Sequence, residues 1–227
     1  MIRESTLEVV GSFPTFPQEV IRAELSQPRV GVGEARGGGP IHRRFVEDLP
    51  AAWRADPHVE VFSRVLWLKQ GWYPLTPHYH FDWGRGGEGP RVQTRMVLLG
   101  GASQTEFVLG PLEHPREEDR CERRPPWDAA VQAGLAAGTL RTQRLEPGQV
   151  VLFDDRTLHR ARPATEPGWR VLIRAIRGLE RSERPGGGRR YERRSPFTTC
   201  RNGFVPETED ERARYAPYQD EHKRRRA

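Results

Sequence analysis

His80 and Asp82 are separated by one residue, and His159 follows 79 positions after His80. On an extended strand, side chains two apart share a face. His78, His80 and Asp82 would then line one face, and Tyr79, Phe81 and Trp83 the other. Two imidazoles and one carboxylate form the facial triad that holds a ferrous ion and leaves positions open for other ligands. His80 and Asp82 provide two donors. His159 is the best candidate for the third.

Arginine is the second kind of residue that matters here. In the run Trp169 to Ile176, Arg170, Leu172, Arg174 and Ile176 alternate with Val171, Ile173 and Ala175. The second set is wholly apolar and needs a packed face. If the first set also faces inward, two guanidinium groups sit inside a sheet sandwich, where an unpaired charge is very costly and an anion is needed. A dicarboxylate would meet that need, because Arg grips carboxylate oxygens through a planar fork of two donors. The opposite reading is a solvent face with the arginines extended along it.

These groups need strands to place them. Val59–Leu68, Val92–Leu99, Thr105–Leu109, Leu140–Leu145, Val150–Phe153 and Trp169–Ile176 are rich in β-formers and bounded by turn residues. Tyr73–Asp82 reads as a further extended segment, kept irregular or at an edge by Pro74 and Pro77. Gly100-Gly101 reads as a hairpin turn joining 92–99 to 105–109. Short helices are expected at Pro17–Ser26, Pro50–Ala55 and Asp128–Ala137, with Asp128 able to cap the last. Residues 111–139 read as an excursion that covers a site. Gly31–Pro40 lacks the Lys-Ser/Thr of a phosphate-binding loop and reads as a flexible linker. His42, His58, His114 and His222 fall in expected loops or helix edges and read as surface residues.

Composition sets the frame. The chain has 227 residues, suited to one domain, and its 20 Pro and 23 Gly favour many turns over long helices. Its net charge is +6, of which residues 178–227 supply +4, from 13 Lys or Arg against 9 Asp or Glu. The body is near neutral, and no nucleic-acid module accompanies the charge. Nucleic acid is therefore not an expected partner. Cys121 and Cys200 show no pairing pattern, which fits a reducing, cytoplasmic setting. No apolar run approaches the length of a membrane span. The expected fold is mainly β, a double-stranded β-helix (a jelly-roll or cupin-like barrel) with a few short flanking helices. Its single domain would span 1–177, with a core over about 59–177 and an N-terminal helical and loop extension over 1–58. Residues 178–227 would form a charged, partly flexible C-terminal extension.

His80-Phe81-Asp82, the run Leu145-Glu146-Pro147-Gly148-Gln149-Val150-Val151-Leu152-Phe153-Asp154, then His159, and Arg170 eleven positions later together resemble the non-haem iron(II)/2-oxoglutarate-dependent dioxygenases. The resemblance spans about residues 60–177. It implies that His80, Asp82 and His159 bind Fe(II), and that Arg170 pairs with the remote carboxylate of 2-oxoglutarate. Arg174 is a weaker alternative, since four strand residues place it about 13 Å from Arg170. Thr94 and Arg95, on a neighbouring strand, would hydrogen-bond the co-substrate or substrate. The implied chemistry consumes molecular oxygen, decarboxylates 2-oxoglutarate to succinate, and hydroxylates an unactivated C–H. The size is similar to bacterial tailoring hydroxylases of secondary metabolism, acting on a small molecule, amino acid or peptide. Two other readings stay open on the residues: a cupin-like metal enzyme without 2-oxoglutarate, using His78-x-His80 with His159, and a non-enzymatic ligand- or peptide-binding barrel.

Overall fold

The structure, a computed structural model, describes residues 2–27, 29–74, 78–82, 92–100, 103–113 and 127–178. Eleven strands form among them: β1 (Ile2–Glu4), β2 (Leu7–Ser12), β3 (Val30–Gly31), β4 (Glu60–Leu68), β5 (Gln93–Leu99), β6 (Thr105–Leu109), β7 (Pro111–Glu113), β8 (Arg141–Arg144), β9 (Gln149–Asp154), β10 (His159–Ala161) and β11 (Gly168–Arg177). The helices are α1 (Gln18–Ala23), α2 (Val32–Ala35), α3 (Pro40–Glu47), α4 (Ala51–Arg54) and α5 (Trp127–Ala136). None of these helices is long and apolar enough to cross a membrane.

The strands pair antiparallel into a six-stranded sheet, ordered β2-β9-β5-β11-β4-β3, and a three-stranded sheet, ordered β10-β6-β8. β1 and β7 form a small separate pair. Register fixes which side chains share a face, because directly paired residues of an antiparallel ladder point the same way. Val171, Ile173 and Ala175 of β11 pair with Val65, Ser63 and Val61 of β4 and with Leu99, Val97 and Arg95 of β5. This face is covered by the N-terminal helices, through Ile21, Ile41, Phe45, Val46 and Trp53. On the other face, Met96, Leu98, Val151 and Phe153 pack against Phe107 of the small sheet. The two sheets thus form a mainly β sandwich, with the N-terminal helices on the outer side of the large sheet and α5 against the outer side of the small one. The β propensity of the strand runs needs both faces filled, and each face has a different partner.

The N-terminal residues belong to this body. β2 adds an edge strand along β9, and Pro40 begins α3, where its fixed φ and missing N–H cost nothing. The glycine-rich stretch is not a linker. Residues 32–38 wind through α2 and a 3-10 turn. Gly39 (φ +139) passes so close to the Glu24 carboxylate that a Cβ would overlap it. The expected hairpin between 93–99 and 105–109 is also absent, since β5 pairs with β9 and β11 while β6 pairs with β8 and β10. Gly100, at φ +83, lies against the Trp169 carbonyl with no room for a side chain, and carries the chain from one sheet to the other. Residues 83–91, 114–126 and 179–227 lie outside the described set. So do the middle of the expected covering excursion (114–126), the two cysteines, His114, His222 and nearly all of the C-terminal extension.

Candidate metal centre

His159 opens β10, on the inner face of the small sheet, opposite Phe107. Phe107 and Phe153 flank its ring at centroid distances of 5.5 and 5.4 Å. His80 is brought to it by an isolated antiparallel bridge. The His80 N–H donates to the His159 carbonyl at 3.0 Å and the His159 N–H to the His80 carbonyl at 3.1 Å. The ring centroids are 4.7 Å apart. Asp82 follows, with Oδ2 3.4 Å from His159 Nε2. One donor atom from each of His80, Asp82 and His159 lies within 4.8 Å of the other two.

Protonation suits a cation. His80 Nδ1 bonds the His78 carbonyl at 2.9 Å, and His159 Nδ1 bonds the Thr157 carbonyl at 3.1 Å. A carbonyl only accepts, so each Nδ1 donates to it and each Nε2 is left to face the triad. Burial, then the adjacent His159 ring, hold His80 at about 4, below its usual 6.5, so it is neutral near pH 7. Burial pushes the Asp82 carboxyl up, but Arg174 and then His159 outweigh it and keep Asp82 well below its usual 3.8. Two imidazoles and one carboxylate therefore converge at one point. Their donor chemistry and spacing fit a divalent first-row metal.

The residues expected beside the triad are sorted by the sheet. Arg170 is 4% exposed and points to the inner face. Its Nε donates to the Ser103 carbonyl at 3.2 Å and its Nη2 to Thr105 Oγ1 at 3.5 Å. Thr105 pairs with Ala161, two residues from His159, on the order of 7 Å along the strand. Among the described residues no carboxylate pairs with Arg170. Burial, then the nearby Arg64, push it down from 12.5 to about 9, still protonated at neutral pH. Arg174 is nearer the triad than spacing suggests, with Nη1 bonded to Asp82 Oδ2. Thr94 is buried on the inner face beside Phe153. Arg95 is not brought to the site. It pairs with Ala175 on the opposite, helix-covered face, where Asp48 is its charge neighbour. Neighbouring residues on one strand face opposite ways, so Thr94 and Arg95 cannot both face the triad.

His78 also turns elsewhere. Residues 78–82 are irregular apart from the bridge, and His78 Nδ1 bonds Asp128 Oδ2 in the first turn of α5. The other Asp128 oxygen accepts the Tyr79 N–H at 2.9 Å, so Asp128 serves this segment as well as its own helix. Sequence reasoning missed Glu106, which anchors the same segment from the outer face of the small sheet. The Tyr79 hydroxyl donates to Glu106 Oε1 at 2.7 Å, and Arg160 Nε donates to the same oxygen at 2.9 Å. The Arg160 guanidinium also lies 4.3 Å over the Tyr79 ring. Burial raises the Glu106 carboxyl, but the Tyr79 bond and the arginines outweigh it and lower it below its usual 4.5. A charged residue inside the apolar run Thr105–Leu109 was the available signal.

His42 is a core residue, not a surface one. Its Nδ1 bonds Glu24, and its Nε2 lies 2.7 Å from Ser63 Oγ. The order Glu–His–Ser is that of an activated nucleophile. At 0%, 0% and 1% exposure it is closed to any substrate, and it ties α1, α3 and β4 together.

Fold and site together define a mainly β sandwich with a His-x-Asp…His ligand set on its inner side. No protein-family profile matches the chain, and no curated protein matches it in sequence. Among solved structures, AviO1 from Streptomyces viridochromogenes Tue57 is 18% identical at a TM-score of 0.44, over 81% of this chain and 93% of that one. EvdO2 from Micromonospora carbonacea var. aurantiaca, complexed with 2-oxoglutarate, is 17% identical at 0.35, over 66% of each chain. SnoK, a non-heme alpha-ketoglutarate-dependent carbocyclase from nogalamycin biosynthesis, is 19% identical at 0.41, over 72% of this chain and 66% of that one. Likeness at this level does not carry function across, so the functional reading rests on this chain's own residues.

Proposed function

We propose that the chain is an iron(II)- and 2-oxoglutarate-dependent oxygenase that hydroxylates an unactivated C–H of a small molecule, amino acid or peptide in secondary metabolism. The observation that carries this is the pairing of the triad with Arg170. A buried, protonated guanidinium lacks a carboxylate partner among the described residues, on the same inner surface as His159. Burying a charge that way is costly unless an anion completes it. An anion that also reaches the metal ligands meets both needs.

His80, Asp82 and His159 would hold the metal, which when bound supplies the redox chemistry with oxygen and the 2-oxoacid. The chain's own part is positional. The two Nδ1–carbonyl bonds aim both Nε2 atoms inward, and the charge of Asp82 is preserved chiefly by the Arg174 guanidinium. Arg170, with Ser103 and Thr105 already oriented around it, would bind the remote carboxylate and fix the co-substrate's direction. Phe107 and Phe153 exclude water beside His159. A cupin-like site using His78 is less well supported, because His78 is engaged by Asp128.

The test is anaerobic titration of the ferrous-loaded protein with 2-oxoglutarate, followed by the metal-to-ligand charge-transfer band. Saturable binding is expected. If the iron form binds no 2-oxoglutarate, the assignment fails.

A further inference from the structure

Asp82 already has a cation. Arg174 stands on the inner face of β11, opposite Phe62 of β4 and Met96 of β5. Its guanidinium lies 4.7 Å over the Phe62 ring, a contact that favours a fixed position for the charge. From there Nη1 donates to Asp82 Oδ2. This same oxygen is 3.4 Å from His159 Nε2, the ring nitrogen that the Thr157 carbonyl leaves free. Two donor atoms bound to one ion at about 2.1 Å and a right angle lie about 3 Å apart. Oδ2 is therefore the oxygen that looks into the triad, and Arg174 is bonded to it.

A residue that only oriented the carboxylate for a metal would hold the outer oxygen, as supporting partners of metal ligands commonly do. Among the described residues no hydrogen bond reaches Oδ1. The ion pair is also well shielded, with side-chain exposures of 13% and 12%. Such a pair is costly to break from either side. A cation entering the triad thus meets a carboxylate oxygen that is already neutralised.

We propose that Arg174 is a resident counter-cation for Asp82 that a metal ion must displace, and that it thereby limits how tightly the triad binds a divalent ion. The proposal rests on the metal-binding reading of the triad and adds a residue that works against metal retention. It implies that removing the guanidinium strengthens metal binding. A purely structural role could only weaken it.

The experiment measures Co(II) affinity of the full chain, anaerobically and at mildly alkaline pH, by calorimetry and by the cobalt absorption band. Wild type, Arg174→Gln, Arg174→Lys and His159→Ala are compared. Arg174→Gln is expected to bind Co(II) about ten-fold more tightly than wild type or better. Arg174→Lys, which keeps the charge, is expected to stay close to wild type. Equal or weaker binding by a folded Arg174→Gln overturns the proposal and leaves the triad standing. If Arg174→Gln does not fold, Phe62→Leu replaces it, because this removes the ring beneath the guanidinium and no charge. Tighter cobalt binding by Phe62→Leu supports the proposal, and unchanged or weaker binding overturns it. Wild type that binds no cobalt, or binds it no better than His159→Ala, removes the metal reading and this proposal with it.

Discussion

At the scale of single residues, the site is a problem of orientation. His80 and His159 each give up Nδ1 to a backbone carbonyl two residues back. Each ring is therefore locked by its own strand or bridge. His80→Ala, Asp82→Ala and His159→Ala should each abolish stoichiometric ferrous binding in anaerobic titration, whereas His78→Ala should keep most of it. Metal binding that survives loss of Asp82 but not of His78 would restore the cupin-like reading. Arg170 should act on the co-substrate and not on the metal. Arg170→Ala should weaken 2-oxoglutarate by about 1.5–3 kcal/mol, or roughly ten- to a hundred-fold. Arg170→Lys keeps the charge but loses the fork of donors, so it should fall well short of wild type. Equal 2-oxoglutarate affinity in wild type and Arg170→Ala would mean another residue anchors that carboxylate.

At the scale of elements, the segment 78–82 has almost no regular structure of its own and is held from three sides. Asp128 of α5 takes His78 and Tyr79, Glu106 of β6 takes the Tyr79 hydroxyl, and β10 takes His80. Glu106 has the most at stake, because it neutralises Arg160 on the covered face of the small sheet. Glu106→Gln should destabilise the protein by about 3 kcal/mol or more, since it removes the carboxylate from a buried ion pair. The pH dependence has a definite sign. The folded-state carboxyl is lowered below its usual 4.5, so its stabilisation is present above that value and is lost as pH falls through the folded-state pKa. Denaturant melts of wild type and Glu106→Gln should therefore differ most near neutral pH and converge in acid. A gap that stays constant down to acid pH would show that the charge is not what Glu106 contributes.

At the scale of the whole molecule, the metal should bridge the irregular segment to the small sheet and so stabilise the fold. Ferrous or cobalt ion at a hundred times its dissociation constant should add about 2.7 kcal/mol by mass action. For a chain of this size that is about 5–10 °C in Tm, reversed by a chelator and absent in His159→Ala. An unchanged Tm at saturating metal would mean that no ion binds the native state.

The strands that carry the site were legible in the residues. β-rich runs bounded by Gly and Pro mark β4, β5, β6, β8, β9 and β11 to within a residue or two, because their propensity and turn chemistry are local. The His80-x-Asp82, His159 and Arg170 spacing was legible too, as a pattern of donors along the chain. What only the tertiary structure decided is where each donor points. Face alternation holds in a regular strand, but residues 78–82 are irregular, so His78 could be turned aside by Asp128, 50 residues away. Arg174 was placed by distance from Arg170 along β11, while its partner was set by where the separate 78–82 segment crosses the sheet. The fate of Arg95 depended on which face of β5 the helices cover, and that of His42 on Glu24 and Ser63 meeting it from two other elements. Propensity and spacing act within a few residues. Register, facing and charge pairing are settled between segments far apart in sequence, where packing and the cost of burying an unpaired charge select one arrangement.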